Sequence, residues 1–274
     1  MFKRAGTRQE SWLKEWPIRV RQVEVLRRTQ VTPRMIRLTF GGPGLAGFES
    51  HVPDEHVKIL FPDPDGSLRV PEPDGDHLHW PRPRPISREY TVRRYDEQAG
   101  ELDLDFVLHG HGLASAWARD VTPGTPVWIA GPPRGWVVPD CYDFYVIAGD
   151  HTALPAIARF VAELPRSATG QVGVLVPDAA EEQPLELPDG VTVTWLHRAG
   201  STSGPADALA DFLAPITPPA GSRPYLWCAG EQRILKPARG WGRRHGLGRH
   251  DQHITGYWRA GRVGDFAPGE SDAH

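Results

Sequence analysis

Residues 139–156 read P-D-C-Y-D-F-Y-V-I-A-G-D-H-T-A-L-P-A, and the rhythm of the chain changes within them. Phe144 to Ala148 is an unbroken apolar run bounded by Asp143 and Gly149, the pattern of a strand buried on both faces. Leu154 to Leu164 then carries helical spacing. The same alternation continues onward. Val172 to Val176, Val191 to Leu196 and Tyr225 to Ala229 read as buried strands, and Ala206 to Leu213 as a helix. Strands alternating with helices predict βαβ units and a parallel sheet.

Before this stretch the chain reads differently. Arg19 to Arg27 alternates Val with Arg or Gln, and Met35 to Phe40 and Val57 to Phe61 are short β-prone runs between Gly, Pro and Asp. Glu89 to Tyr95 and Leu102 to Leu108 predict a hairpin around Asp96 to Gly100. Leu104, Phe106 and Leu108 share one face of it, and Asp103, Asp105 and Val107 the other. Val127 to Ala130 follows a Pro-Gly turn, and Ala114 to Asp120 is the one short helix. Six short strands separated by turns predict an antiparallel barrel. The expected fold is thus β followed by α/β: a six-stranded barrel over 17–140 and a parallel α/β domain over 141–262. Residues 1–16 and 263–274 are expected to be flexible, and the Pro-rich segment Pro71 to Pro85 to be a loop.

Bulk properties exclude several functions. A length of 274 residues suits two domains, and a net charge of −3 lacks the basic excess of a nucleic-acid binder. Only Arg239 to Arg249 is locally basic. Cys141 and Cys228 are the only cysteines, so a disulfide framework is not expected. Met1 to Trp16 lacks the apolar stretch of a signal peptide, and no run is long enough to span a membrane. The expectation is a cytoplasmic, soluble monomer. The pairs His77/His79 and His109/His111 have the H-x-H form but lack an evident third ligand, so no metal is assigned.

Two segments carry chemistry. Arg84 to Arg93 reads R-P-I-S-R-E-Y-T-V-R and contains R-x-Y-T at Arg88, Tyr90 and Thr91. Strand alternation places Arg88 and Tyr90 on one face. R-x-Y-T resembles the flavin-binding signature of ferredoxin-reductase-like barrels, which implies Arg88 on a flavin phosphate by charge-assisted hydrogen bonds, Tyr90 stacked on the isoalloxazine and Thr91 at the ring's reactive edge. A solvated Arg beside a packed Tyr is the plainer alternative. Next, Leu102 to Ala118 runs from a strand through a Gly-rich turn into a helix, whose free amides suit a pyrophosphate, with Ser115 adding a hydroxyl. Ser115 can equally be a simple cap, and His109 a hydrogen-bonded core residue. In the second half, Gly149, Asp150 and Thr152 end one parallel strand, and Ala229, Gly230 and Glu231 end another on the same edge. Open α/β sheets bind nucleotides there. No G-x-G-x-x-G occurs.

R-E-Y-T-V-R, D-F-V-L-H-G, A-S-A-W-A, P-G-T-P-V-W-I-A-G-P-P-R-G, I-A-G-D-H-T-A-L-P-A, W-C-A-G-E and G-Y-W-R-A-G follow one another between about residues 17 and 262. In that order they resemble the siderophore-interacting protein family of ferredoxin-reductase-like flavoproteins. The resemblance implies FAD, with contacts at Arg88, Tyr90, Thr91, Asp105, Val107, His109, Ala114 and Ser115. It implies that the second domain receives NAD(P)H, and that an anionic ferric siderophore is reduced beside a basic group, assigned by motif position to Lys58, Arg134 and Arg259, between the domains. Arg198, after the strand Val191 to Leu196, is positioned to pair with a 2′-phosphate and favour NADPH. Three positions depart from the family pattern. His151 replaces a Glu, Leu113 replaces a Pro, and Ile234 to Gly242 carries Pro237, Gly240 and Gly242, which are expected to shorten or break the helix there. A flavin reductase serving another acceptor and a siderophore binder without catalysis are the rival readings.

Overall fold

The structure, a computed structural model, describes residues 9–110, 112–199 and 204–261. His111 and residues 263–274 lie outside these. The chain forms two compact units, one of Leu13–Trp136 and one of Val137 onward together with the residues up to Trp12.

The first unit contains β1 (Trp12–Glu15), β2 (Val20–Thr32), β3 (Met35–Gly41), β4 (His56–Phe61), β5 (Glu72–Asp74), β6 (His77–His79), β7 (Ile86–Asp96), β8 (Glu101–Val107), α1 (Leu113–Asp120), β9 (Pro126–Ala130) and β10 (Arg134–Val137). Six of these strands close a barrel in the order β2-β3-β8-β7-β4-β9, and its strand pairs are antiparallel. Alternation builds it: Leu102, Leu104 and Phe106 point inward and are fully buried, in one core with Leu38, Ile59 and Ile129 from other strands of the barrel.

The outer wall is not simply solvated. Asp103 and Asp105 are buried beneath arginines from adjacent strands. Arg37 grips both oxygens of Asp105 at 2.7 and 2.8 Å. Asp103 accepts from Thr39 at 2.6 Å and Arg94 at 2.7 Å. Arg27 and Arg94 hydrogen-bond Glu101 and hold its carboxyl down at about 2. Charges so paired can be buried because each lone pair finds a donor.

Two expectations are corrected here. Residues 9–16 are not wholly a loose tail: β1 pairs with β10, and the Trp16 amide donates to the Pro133 carbonyl at 2.9 Å. Pro71 to Pro85 is not only loop. It contains the hairpin β5–β6, which is tied down by Ile18 N–H to the Asp76 carbonyl and Arg19 to the Gly75 carbonyl. Strands of three residues with a proline give too short a period to read from sequence.

The second unit contains β11 (Phe144–Asp150), α2 (Leu154–Glu163), β12 (Thr169–Val176), β13 (Gly190–His197), α3 (Pro205–Leu213), β14 (Pro224–Glu231), α4 (Leu235–Arg244) and β15 (Gln252–Trp258). Its five strands form a parallel sheet in the order β13-β12-β11-β14-β15. One face packs Val146 and Leu226 against Phe212, Leu235 and Trp241 from α3 and α4. On the other, Phe160 of α2 meets Tyr145, Tyr225 and Trp227. The strand order reverses between β11 and β14, the position where such sheets open a ligand crevice.

The helix expected to break is intact. Pro237 is the third residue of α4, in the first turn, where a backbone N–H has no helical partner to lose. Gly242 is buried on the sheet side of α4, where a Cβ would meet the end of the Gln252 side chain at 2.5 Å and Leu226 Cδ2 at 3.4 Å. Trp241 anchors the same turn with its indole N–H on the Ile216 carbonyl at 3.0 Å. Packing outweighs a propensity deficit of about 1 kcal/mol per glycine. The edge strand β15 escaped the sequence reading because its residues are only half-buried and mixed in polarity.

Candidate functional site

In the barrel, β7 presents Arg88 and Tyr90 on one face, as alternation requires. Register settles the rest: Val57 opposes Tyr90 and Ile59 opposes Arg88. The Tyr90 ring lies 4.0 Å from Phe106, tilted by 33°, which brings the end of β8 beside this half of β7. Burial pushes the Tyr90 hydroxyl well above its ordinary value, so it stays protonated. Arg88 donates to the Ser87 carbonyl at 2.6 Å, and no acidic side chain pairs with it among the described residues. A half-buried guanidinium without a carboxylate is an anion site in waiting.

Beyond β8 the chain turns at Gly112 into α1, whose first helical bond runs from Ala116 N–H to the Gly112 carbonyl at 2.9 Å. The amides of Leu113, Ala114 and Ser115 precede that bond and stand outside the helical ladder. Ser115 is buried, and its hydroxyl is engaged with the His109 backbone, accepting from its N–H and donating to its carbonyl, each at 3.0 Å. It therefore closes the turn instead of standing free for a phosphate. Asp105 is likewise committed through its side chain to Arg37, which leaves its backbone, like that of Val107 at the end of β8, as what it can offer. His109 is exposed at the turn. An unpaired arginine, an aromatic face and free helix amides form a donor set that fits a flavin dinucleotide.

The opposite face of β4 and β7 carries a charged cluster. Lys58 opposes Glu89, and His56 opposes Thr91. Lys58 Nζ lies 2.6 Å from Glu89 Oε1, and His56 Nε2 lies 3.7 Å from the same oxygen. Lys58, assigned by motif position to a basic group, is thus paired with a carboxylate across the strands. Burial pushes the His56 ring below its ordinary value, Glu89 and Asp54 oppose that shift, and Lys58 and Arg134 add to it. Arg134 begins β10 in this same unit.

In the α/β unit the predicted nucleotide residues meet at the tips of β11 and β14. Asp150 holds them together. Its Oδ1 accepts the Thr152 amide at 2.9 Å and hydroxyl at 2.5 Å. Its Oδ2 accepts the Glu231 amide at 2.7 Å and the Trp258 indole N–H at 2.9 Å. Gly230 has φ +137°, and a Cβ on it would stand 2.6 Å from Asp150 Cγ, so only glycine admits the carboxylate. Gly149 and Ala229 are equally close, with a Gly149 Cβ falling 2.7 Å from the Ala229 carbonyl. Glu231 accepts from the Arg233 and Ala260 amides at 2.7 and 3.1 Å. His151, the departure from the family pattern, lies 3.3 Å from the buried Glu181. Arg198 follows β13, is exposed, and forms no ion pair among the described residues. Arg259, just beyond β15, is exposed as well. Sequence reasoning missed Glu89 and the Asp150–Trp258 bond. Both partners sat in quoted motifs, yet only register pairs them.

Known proteins carry the same plan. A family model described as the siderophore-interacting FAD-binding domain matches residues 24–136, and one described as siderophore-interacting protein matches residues 142–261. The chain is 34% identical to the NADPH-dependent ferric-chelate reductase of Escherichia coli, over 80% of this chain and 85% of that one. It is 29% identical to the ferric vibriobactin reductase of Vibrio cholerae, over 88% and 90%. A solved siderophore utilization protein from T. fusca superposes with a TM-score of 0.85 at 39% identity, covering 93% of this chain and 98% of that one.

Proposed function

The chain belongs to the siderophore-interacting protein family, and from that premise we propose that it is an NAD(P)H-dependent, FAD-containing reductase that releases iron from a ferric siderophore as Fe(II) in the cytoplasm. No helix among the described residues is long and apolar enough to cross a membrane. The observation that carries the reading is the unpaired Arg88 on the same strand face as Tyr90, within the matched FAD-binding domain.

Bound FAD supplies chemistry that no side chain has, accepting a hydride as an electron pair and passing electrons on singly. The overall balance is one NAD(P)H and two Fe(III) giving NAD(P)⁺, a proton and two Fe(II). The chain's residues bind and orient. Arg88 takes a phosphate, and the amides of Leu113 to Ser115 take the pyrophosphate. Tyr90 offers its ring, and Thr91 borders the reactive edge. Gly149, Asp150, Thr152, Ala229, Gly230 and Glu231 shape the sheet edge that receives the nicotinamide nucleotide. Lys58 and Arg134 on the barrel, and Arg259 on the α/β unit, are the cations assigned to the ferric complex.

The test is anaerobic mixing of flavin-loaded protein with NADH or NADPH, then a ferric siderophore, with Fe(II) captured by a chelator. Flavin bleaching followed by Fe(II) capture is expected. A protein that binds the ferric complex without bleaching is a carrier and overturns the reading. Arg198 lacks a competing carboxylate, so NADPH should be the better donor. Arg198→Ala should raise the KM for NADPH about fivefold, as for an exposed charge contact of about 1 kcal/mol, and leave that for NADH unchanged. Equal kinetics with both nucleotides in the parent would remove this role.

A further inference from the structure

The cluster on the outer face of β4 and β7 bears on which iron complexes the protein accepts. Lys58 and Glu89 face each other across the two strands, 2.6 Å apart, with about a fifth of each side chain exposed. His56, on the same face, is directed at the same carboxylate oxygen. Thr91, directly opposite His56, is the residue assigned to the flavin's reactive edge. On that assignment the strand face shared by Thr91 and the cluster is the one an electron acceptor approaches. The charged groups that act on His56 include two of each sign. Lys58 and Arg134 are positive, and Glu89 and Asp54 are negative. Desolvation keeps His56 neutral near pH 7.

We propose, resting on the ferric-siderophore reading above, that Glu89 sets the charge class of the substrate: by neutralising Lys58 it leaves this face without net positive charge, so that neutral ferric hydroxamate complexes are reduced in preference to ferric triscatecholates. A triscatecholate carries three negative charges and meets the Glu89 carboxylate with three times the repulsion of a monoanion, whereas a neutral tris-hydroxamate meets none. The pair also occupies the ammonium. An anionic ligand has to displace a well-placed carboxylate before it gains Lys58, which is discrimination by a repulsive element as well as by the loss of an attractive one.

Glu89→Gln keeps the side chain's size and a hydrogen bond to Lys58 while removing the charge. The flavin-loaded parent and variant are compared in two assays. One follows Fe(II) capture from a ferric triscatecholate and from a neutral ferric tris-hydroxamate. The other titrates the gallium(III) forms of the same two ligands, which bind without being reduced. In the variant, triscatecholate KM and gallium-complex Kd should both fall about tenfold at low salt, with the gain shrinking as salt rises. The hydroxamate values should stay within about twofold of the parent. Lys58→Gln provides a change of opposite sign, weakening the triscatecholate further. Equal shifts for both complexes, or none, overturn the role of Glu89. If neither protein reduces any ferric complex, the reductase reading falls, while the gallium titrations still decide the charge preference.

Discussion

Arg88→Ala will leave the protein largely free of FAD after gel filtration. Arg88 is a half-buried guanidinium on β7 with no acidic partner among the described residues, and its one bond there is to the adjacent Ser87 carbonyl. Removing it costs the fold little. The cofactor loses a charge-assisted contact of about 1.5–3 kcal/mol, roughly a tenfold to hundredfold loss in affinity. Arg88→Lys should retain flavin to an intermediate degree, since it keeps the charge and loses the fork. The ratio of flavin absorbance to protein absorbance reads the outcome. A variant with a full complement of FAD would show that the phosphate is held elsewhere, with the amides of α1 sufficient by themselves.

The second large effect is on stability. Asp150→Ala will destabilise the α/β unit by about 3 kcal/mol, because it strands one buried and two part-buried donors that the carboxylate now satisfies. Those donors are the amides of Thr152 and Glu231 and the indole of Trp258, so the tips of β11, β14 and β15 lose their common tie. For a unit of this size the melting temperature should fall by roughly 10 °C. Asp150→Asn should cost less, since its carbonyl oxygen still accepts on one side. Differential scanning calorimetry of the flavin-loaded protein resolves the effect. An unchanged melting profile with a raised KM for nucleotide would assign Asp150 to the ligand alone and contradict the tie. Gly230 supports the structural role, because its missing Cβ is what admits the Asp150 carboxylate.

Local patterns were legible wherever a residue's fate depended on its chain neighbours. The alternation L-D-L-D-F-V-L placed Leu104 and Phe106 in the barrel core, where both are fully buried. The unbroken run F-Y-V-I-A became the central strand of the parallel sheet. Arg88 and Tyr90 share a face for the same reason, since the period of a strand is two. The turn from β8 into α1 was legible as well, because its glycines and following helix pattern are contiguous.

What the sequence by itself determined was the six barrel strands, four of the five strands of the parallel sheet, the helices α1 to α3, the division into a barrel and an α/β unit, and the strand face of Arg88 and Tyr90. These follow from periodicity and turn chemistry acting over a few residues. Partnership was decided only by tertiary structure. Lys58 was legible as a basic motif residue, but its partner Glu89, 31 positions away, is set against it only by the β4–β7 register. The bond from the Trp258 indole to Asp150, 108 positions away, exists only because the sheet order brings the two strand ends together. The helix α4 was expected to be shortened or broken because propensity is local, whereas the packing of Leu235, Ala238 and Trp241 against the sheet and α3 belongs to the folded unit. Hydrogen bonds and ion pairs act over about 3 Å, so which groups they join is settled by how strands align in space and not by their positions along the chain.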